Sequence, residues 1–215
     1  MPIPTPAQPT TQFHPQPHPQ HQPQLHLLDD IDFQDLTVKG RFSCNLSSEE
    51  GILTISKYIR DRESHLDILI SNAGIRRDPA ITCNPLTASL TELQTSLLSS
   101  SYSDWVSSFQ VNTMAHYFLS VSLLDLLAAA GERTLEDGTK GKENGCGVVV
   151  VTSSVASLHN ATNVDMMSYA TTKAATDHLV ALLAAKFARW YVRVVGINPG
   201  CEFPLLPIYC CISVF

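Results

Sequence analysis

A run of four consecutive valines constrains the fold of this chain more than any other feature. The segment GVVVVTSS, residues 147–154, is a continuous β-branched run, which is typical of a strand covered on both faces. Two further segments predict strands, LDILIS at 66–71 and YVRVVGI at 191–197. Helical patterns separate the three segments. Strands that alternate with helices predict the α/β class and a parallel sheet with right-handed crossovers.

The segments between the strands carry helical signals. Ser47 and Glu50 fit a capping box before an amphipathic helix. A loop is predicted over residues 76–101, with one short helix from about Thr87 to Leu98. The segment SYATTKAATDHL, residues 168–179, lies in a long helix that runs to about Arg189. Another long helix begins near Ser103, and its predicted apolar face consists of Trp105, Phe109, Met114, Tyr117 and Val121.

Composition excludes several classes of protein. The chain has 215 residues, 44% of them hydrophobic, which is enough for one domain with a core. Its net charge of −6 and the lack of a basic stripe argue against nucleic-acid binding. The six cysteines form no C-x-x-C pair, so no metal site is predicted. Without an apolar run of about 18 residues or a targeting signal, we expect no membrane contact and a cytoplasmic location.

The chain divides into three parts. Residues 1–35 predict a disordered arm, because Pro, Gln and His dominate its first 26 residues. Loose metal binding by the arm's histidines is the alternative to a solvated tail. Residues 36–200 predict the folded domain, and residues 201–215 form a divergent tail.

Small polar residues follow each predicted strand, at Asn72, Ser154 and Asn198. Because the carboxyl ends of parallel strands share one edge of a sheet, these residues converge there. Tyr169 and Lys173, four residues apart, share a helix face. An ammonium about 5 Å from a phenol stabilises the phenolate by roughly 3 kcal/mol at an effective dielectric of about 20. The pair therefore predicts proton exchange near neutral pH.

Five short segments follow one another along the chain in this order: LDILISNAGI, VNT, VVVVTSS, YATTK and INPG. Together they resemble the short-chain dehydrogenase/reductase family between residues 36 and 200. The likeness is nearest to fungal 3-oxoacyl reductases of the rhamnolipid-biosynthesis type. It implies a Rossmann-type, three-layer parallel sheet. It also implies hydride transfer between NAD or NADP and a small-molecule carbonyl or alcohol.

The resemblance implies a role for each matching residue. Tyr169 would exchange a proton with the substrate oxygen. Lys173 would lower the pKa of Tyr169 and hold the hydroxyls of the nicotinamide ribose. Ser154 would hydrogen-bond the reacting oxygen. Asn112 would sit at a helix kink and hold a water that relays protons to Lys173, although a purely structural role for Asn112 remains open. Further cofactor contacts would come from Asn45, which replaces a common aspartate, and from Asn72, Ala73, Gly74, Pro199 and Gly200.

The chain also departs from the family pattern. No TGxxxGxG turn precedes Leu66, so the first two strand–helix units, the phosphate-binding glycine loop and the last strand are expected to be missing. The segment from Val38 to Cys44 is a candidate to replace the missing strand beside LDILIS. We expect a sequence truncated at both ends that binds a cofactor weakly or not at all. The rival hypothesis is an inactive remnant that acts through protein contacts. The two long helices, which form dimer interfaces in the family, would serve as a homo-oligomer surface.

Overall fold

The structure, a computed structural model, describes residues 42–158 and 165–200 and the backbone of 212–214. Its sheet has the order β3-β2-β1-β4. The strands are β1 Ile68–Ser71, β2 Val148–Thr152, β3 Arg193–Ile197 and β4 Ile212–Val214. The first three strands are parallel and in register, with Leu69 opposite Val149 and Val149 opposite Val194. The predicted α/β class with a parallel sheet is therefore confirmed.

The outer edge of β1 pairs with β4, which runs antiparallel and places Ser213 opposite Ile70. The sequence suggested the segment from Val38 to Cys44 for this edge. That suggestion is wrong over its described part, because residues 42–45 form no strand. An edge strand pairs with whichever segment can reach its free backbone groups, and β-propensity alone does not identify that segment. Residues 1–41, which include the predicted disordered arm, lie outside the described residues.

The first helix, α1, spans Glu49–Arg60 and begins one residue later than its predicted cap requires. The side chain of Ser48 accepts a hydrogen bond from the Gly51 N–H at 3.2 Å. The predicted capping box of Ser47 and Glu50 is therefore wrong by one residue. Ser47 instead donates its hydroxyl to Oδ1 of Asn45 at 2.7 Å.

The predicted short helix is α2, Leu90–Leu98. The long helix that follows is divided into three: α3 Tyr102–Phe109, α4 Ala115–Ser122 and α5 Leu124–Glu132. A single π turn, Gln110–Met114, joins α3 to α4. Among the described helices, none alone has both the length and the apolar character to cross a membrane. The segments Tyr102–Ser122 and Leu124–Glu132, bent by 51°, meet those two criteria only as a pair.

The predicted apolar face of α3 and α4 is wrong in its second half. Met114, Tyr117 and Val121 are 40–46% exposed. The buried stripe instead follows the helical period through Ser108, Val111, Asn112, Ala115, His116, Leu119 and Ser120. Because apolar residues lie on both sides of α4 and polar residues are buried, hydrophobicity alone selects the wrong side.

The last helix, α6, spans Met167–Phe187, and a 3-10 turn extends it to Trp190, close to the predicted end at Arg189. Together with α1, α4 and α5 it packs against one face of the sheet, where the buried strand residues are Leu69, Val149, Val151 and Val194. The opposite face is partly open: Ile68, Val195 and Ile197 are 37–46% exposed. The described residues thus form two layers of the expected three, and β2 is fully covered on one face only.

Candidate active site

Helix α6 places the predicted tyrosine and lysine on one side of its first two turns. The Lys173 Nζ lies 5.7 Å from the centre of the Tyr169 ring. Lys173 is only 2% exposed, whereas Tyr169 is partly exposed. A phenol at the surface of the site therefore has a buried cation next to it, which is the arrangement that the four-residue spacing predicts.

The Lys173 ammonium is held at the carboxyl end of β2. Its Nζ donates a hydrogen bond to the backbone carbonyl of Thr152 at 2.7 Å. Burial lowers the pKa of Lys173 to about 8, and the negative charge of Asp177 acts in the opposite direction. Lys173 is consequently still mostly protonated at pH 7, and two N–H groups remain for other acceptors.

Asn112 lies inside the π turn, a local feature that is frequent at functional sites. Its Oδ1 accepts from the Ile75 N–H at 2.7 Å. Its Nδ2 donates to the Ile75 carbonyl and to the Thr172 hydroxyl, both at 2.9 Å. The Asn112 carbonyl accepts from the Thr176 hydroxyl at 2.6 Å. Its polar atoms thus join the loop after β1 to α6, so the expected role in holding a relay water gains no direct support.

The segment Asn72-Ala73-Gly74 follows β1. Asn72 is exposed and Ala73 is fully buried. A β-carbon added to Gly74 would lie 3.4 Å from the Lys173 Nζ and 3.6 Å from the Asn112 Oδ1. Both distances are ordinary van der Waals contacts, so the Gly74 backbone packs close to the two side chains with room for a β-carbon.

Two serines follow β2. The Ser153 hydroxyl donates to the Lys173 carbonyl at 3.0 Å, which ties the end of the strand to α6. Ser154, 9% exposed, accepts a hydrogen bond from the Ala156 N–H at 3.1 Å. The segment after β3 lies beside them, since the Pro199 carbonyl accepts from the Val155 N–H at 3.1 Å. Gly200 is exposed.

The structure thus links the segments after β1, β2 and β3 to α6 through hydrogen bonds or close packing. The side-chain contacts of Asn45 lie elsewhere. The Asn45 Oδ1 accepts from the N–H and the hydroxyl of Ser47 in the turn before α1. The expected contact of Asn45 with a cofactor therefore gains no support from its surroundings.

Sequence reasoning missed two titratable residues near Lys173. His116 is fully buried, and its Nδ1 lies 2.6 Å from the Ser71 hydroxyl. Burial, and secondly the Lys173 charge, lower the pKa of His116 to about 3. Asp177 follows Lys173 by one helical turn. The available signal was spacing, because both residues stand four positions after a predicted site residue, Asn112 or Lys173.

The nicotinamide cofactor implied by the resemblance fits this arrangement in part. The Lys173 ammonium and the small residues Ala73 and Gly74 suit a ribose that approaches the end of β1. Among the described residues before β1, none forms a matching cradle for the pyrophosphate, and the sequence there has no TGxxxGxG turn. The glycines there are Gly40 and Gly51, and a β-carbon on Gly51 would lie 1.8 Å from the Asn45 carbonyl oxygen. The residues present therefore suit the ribose and not the phosphates.

The sequence model of the short chain dehydrogenase family matches residues 37–202. Mouse dehydrogenase/reductase SDR family member 11 is 32% identical over 160 residues, which are 74% of this chain and 51% of that protein. The Escherichia coli 7alpha-hydroxysteroid dehydrogenase is 27% identical over 157 residues, 73% of this chain and 49% of that protein. The chain spans about half the length of the curated relatives that it matches.

Solved structures share the fold. An active-site complex of Pseudomonas aeruginosa RhlG with NADP has a TM-score of 0.56 at 24% identity, over 76% of this chain and 53% of that one. A xylitol dehydrogenase bound to NAD+ has a TM-score of 0.54 at 21% identity, over 74% of this chain and 49% of that one. RhlG comes from a bacterium, so the nearer likeness to a fungal rhamnolipid type stays a prediction.

Proposed function

The chain belongs to the short-chain dehydrogenase family, and we propose that it is an NAD- or NADP-dependent oxidoreductase that acts on a small carbonyl or alcohol. The observation that carries this proposal is the Lys173 site. A buried ammonium lies 5.7 Å from the Tyr169 ring and against Gly74, at the carboxyl end of a parallel sheet. This position is the usual ligand site of open α/β sheets.

Each residue has a proposed chemical role. In reduction, Tyr169 gives its proton to the substrate oxygen, and in oxidation it takes that proton back. The Lys173 cation stabilises the phenolate that remains, and Ser154 donates a hydrogen bond to the reacting oxygen. Asn112 belongs to the set because its amide fixes Ile75 and Thr172 around the lysine. A bound nicotinamide would supply or accept the hydride.

Cofactor affinity is expected to be low because the sequence lacks a glycine-rich loop for the pyrophosphate. Backbone N–H groups at a helix N-terminus usually hold the pyrophosphate, whereas no TGxxxGxG turn precedes Leu66 in this sequence. Calorimetry with NADPH and NADH on the purified chain tests this expectation. Binding in the micromolar range would contradict it.

The activity is tested with the full chain and a panel of carbonyl substrates at high cofactor concentration. We expect slow NAD(P)H oxidation that falls at least about 100-fold in Tyr169→Phe, because the proton donor is lost. Tyr58→Phe is the matched control, since Tyr58 lies in α1 and packs on Phe42. Equal rates in wild type and Tyr169→Phe would exclude the proposed proton donor.

We also propose that copies of the chain associate through the helices α3, α4 and α6. Met114 in the π turn and Tyr117 and Phe118 on α4 are 41–46% exposed, and Leu182 on α6 is 50% exposed. Exposed apolar side chains of this number favour burial against a partner surface. Light scattering is expected to show a dimer that Phe118→Glu converts to a monomer, and a monomeric wild type would contradict the proposal.

A further inference from the structure

Asp177 lies one turn after Lys173 on α6 and is half-buried. Its carboxylate oxygens Oδ2 and Oδ1 lie 3.0 and 3.2 Å from the Nδ2 of Asn198, which directly follows β3. Asp177 thus connects the helix of the proposed tyrosine and lysine to the end of a neighbouring strand.

Asn198 extends this connection to the segment of Ser154. The same Nδ2 lies 3.2 Å from the Ser154 carbonyl oxygen and 3.1 Å from the Ser157 hydroxyl. An amide with two N–H groups can serve the carboxylate and one of these oxygens at the same time. Asp177 therefore orients an amide that in turn holds the turn after β2.

Lys173 needs a balancing charge, because an ammonium buried to this degree is costly without one. Among the ion pairs of the described residues, none includes Lys173. The titratable side chains that bear on it are Tyr169 and Asp177 on α6 and His116 on α4. His116 is neutral at pH 7, since burial lowers its pKa to about 3. The Asp177 carboxylate supplies the negative charge in this group, and it raises the pKa of Lys173 against the effect of burial.

We propose that Asp177 is a positioning residue of the site: its carboxylate balances the buried Lys173 ammonium and, through Asn198, fixes the turn that carries Ser154. The consequence for catalysis rests on the function proposed above. The electrostatic effect itself does not, because it needs neither cofactor nor substrate. Loss of the carboxylate lets Lys173 release its proton at a lower pH, which removes the cation that stabilises the phenolate.

The test is a titration of Lys173 in the full chain. The chain has six lysines, so labelling them with ¹³C at Cε gives few NMR signals, and Lys173→Arg identifies the signal of interest. In Asp177→Asn we expect the Lys173 titration midpoint to fall by about half a unit to one unit. Asp177→Glu keeps the charge and should restore most of the difference.

Asp125→Asn is the charge-matched control. Asp125 lies on α5 and pairs with Arg60 at 2.7 Å, and its substitution changes the net charge by the same amount. An unchanged midpoint in Asp177→Asn, or an equal fall in both variants, overturns the proposal. If Asp177→Asn does not fold, Asp177→Ser removes the carboxylate in its place, and the same fall is expected. The comparison variants are Asp177→Glu and Asn198→Ala. Both keep the carboxylate and should keep the midpoint near that of wild type, and a large fall in either is the opposing result.

The role through Asn198 has a separate readout. In Asn198→Ala the amide hydrogens of Ala156 and Ser157 should exchange at least about tenfold faster, because the turn loses its side-chain link. Unchanged exchange overturns this part. A chain without oxidoreductase activity would contradict the proposed function and leave both readouts measurable. Where turnover is measurable, the pH profile of Asp177→Asn should shift in the same direction as the Lys173 midpoint.

Discussion

The Nζ of Lys173 donates a 2.7 Å hydrogen bond to the carbonyl oxygen of Thr152, where β2 ends. One cation of the site is therefore fixed to the sheet instead of extending into solvent. The Lys173 side chain is 2% exposed, and its burial makes the charged form less stable in the native chain than in water. Stability should consequently depend on pH through this residue.

The first prediction concerns that dependence in the alkaline range. Burial lowers the pKa of Lys173 to about 8, from 10.5. Between these values the unfolded chain holds a proton that the native chain has released, so the free energy of unfolding rises with pH. Between about pH 7 and 9.5, the free energy of unfolding of wild type should rise by about 2 kcal/mol relative to that of Lys173→Met. Urea unfolding of both proteins at both pH values measures this difference. An equal change in unfolding free energy in wild type and Lys173→Met would contradict the effect of burial.

The second prediction concerns acid and His116. Burial, with a contribution from the Lys173 charge, lowers the pKa of His116 to about 3. Below about pH 6.5, His116 binds a proton in the unfolded chain but not in the native chain, so acid destabilises the fold. Wild type should lose about 2 kcal/mol more than His116→Gln between about pH 7 and 5. Substitution of the exposed His178 by Gln is the control and should leave the wild-type acid loss intact.

The third prediction reverses a usual helix rule. Glycine to alanine inside a helix normally stabilises a protein by about 1 kcal/mol. In α1, however, a β-carbon on Gly51 would lie 1.8 Å from the Asn45 carbonyl oxygen. Gly51→Ala should therefore destabilise the fold by about 1 to 3 kcal/mol. Gly131→Ala in α5 is the matched control, since its β-carbon would meet the Lys142 Cβ at an ordinary 3.6 Å. Equal stabilisation in both variants would show that the turn before α1 moves away freely.

The fourth prediction compares adjacent residues of β3. Val194 is 7% exposed and lies in the core, whereas Val195 is 44% exposed on the open face of the sheet. Val194→Ala should cost about 2 kcal/mol, and Val195→Ala should cost less than about 1 kcal/mol. Thermal unfolding of the two variants measures the difference. Similar losses would indicate that the second face is covered in solution.

Part of the site was predictable because it depends on local order in the sequence. Asn72, Ser154 and Asn198 follow strands that the β-branched runs identify, and parallel strands bring their ends together. The spacing of Tyr169 and Lys173 likewise places them on one helix face. His116 and Asp177 were missed because a histidine or an aspartate in a helix is ordinary, and only packing shows which one faces the buried lysine.

The amino-acid sequence by itself determined the three parallel strands, the long helix of Tyr169 and the residues at the strand ends, because backbone preference and side-chain period act over a few neighbouring residues. Tertiary structure alone decided which side of α4 is buried and which segment pairs with the free edge of β1. It also decided that Lys173 donates a hydrogen bond to the Thr152 carbonyl. These outcomes depend on competition among surfaces far apart in the chain. Burial and pairing free energies settle that competition, and no local pattern records the result.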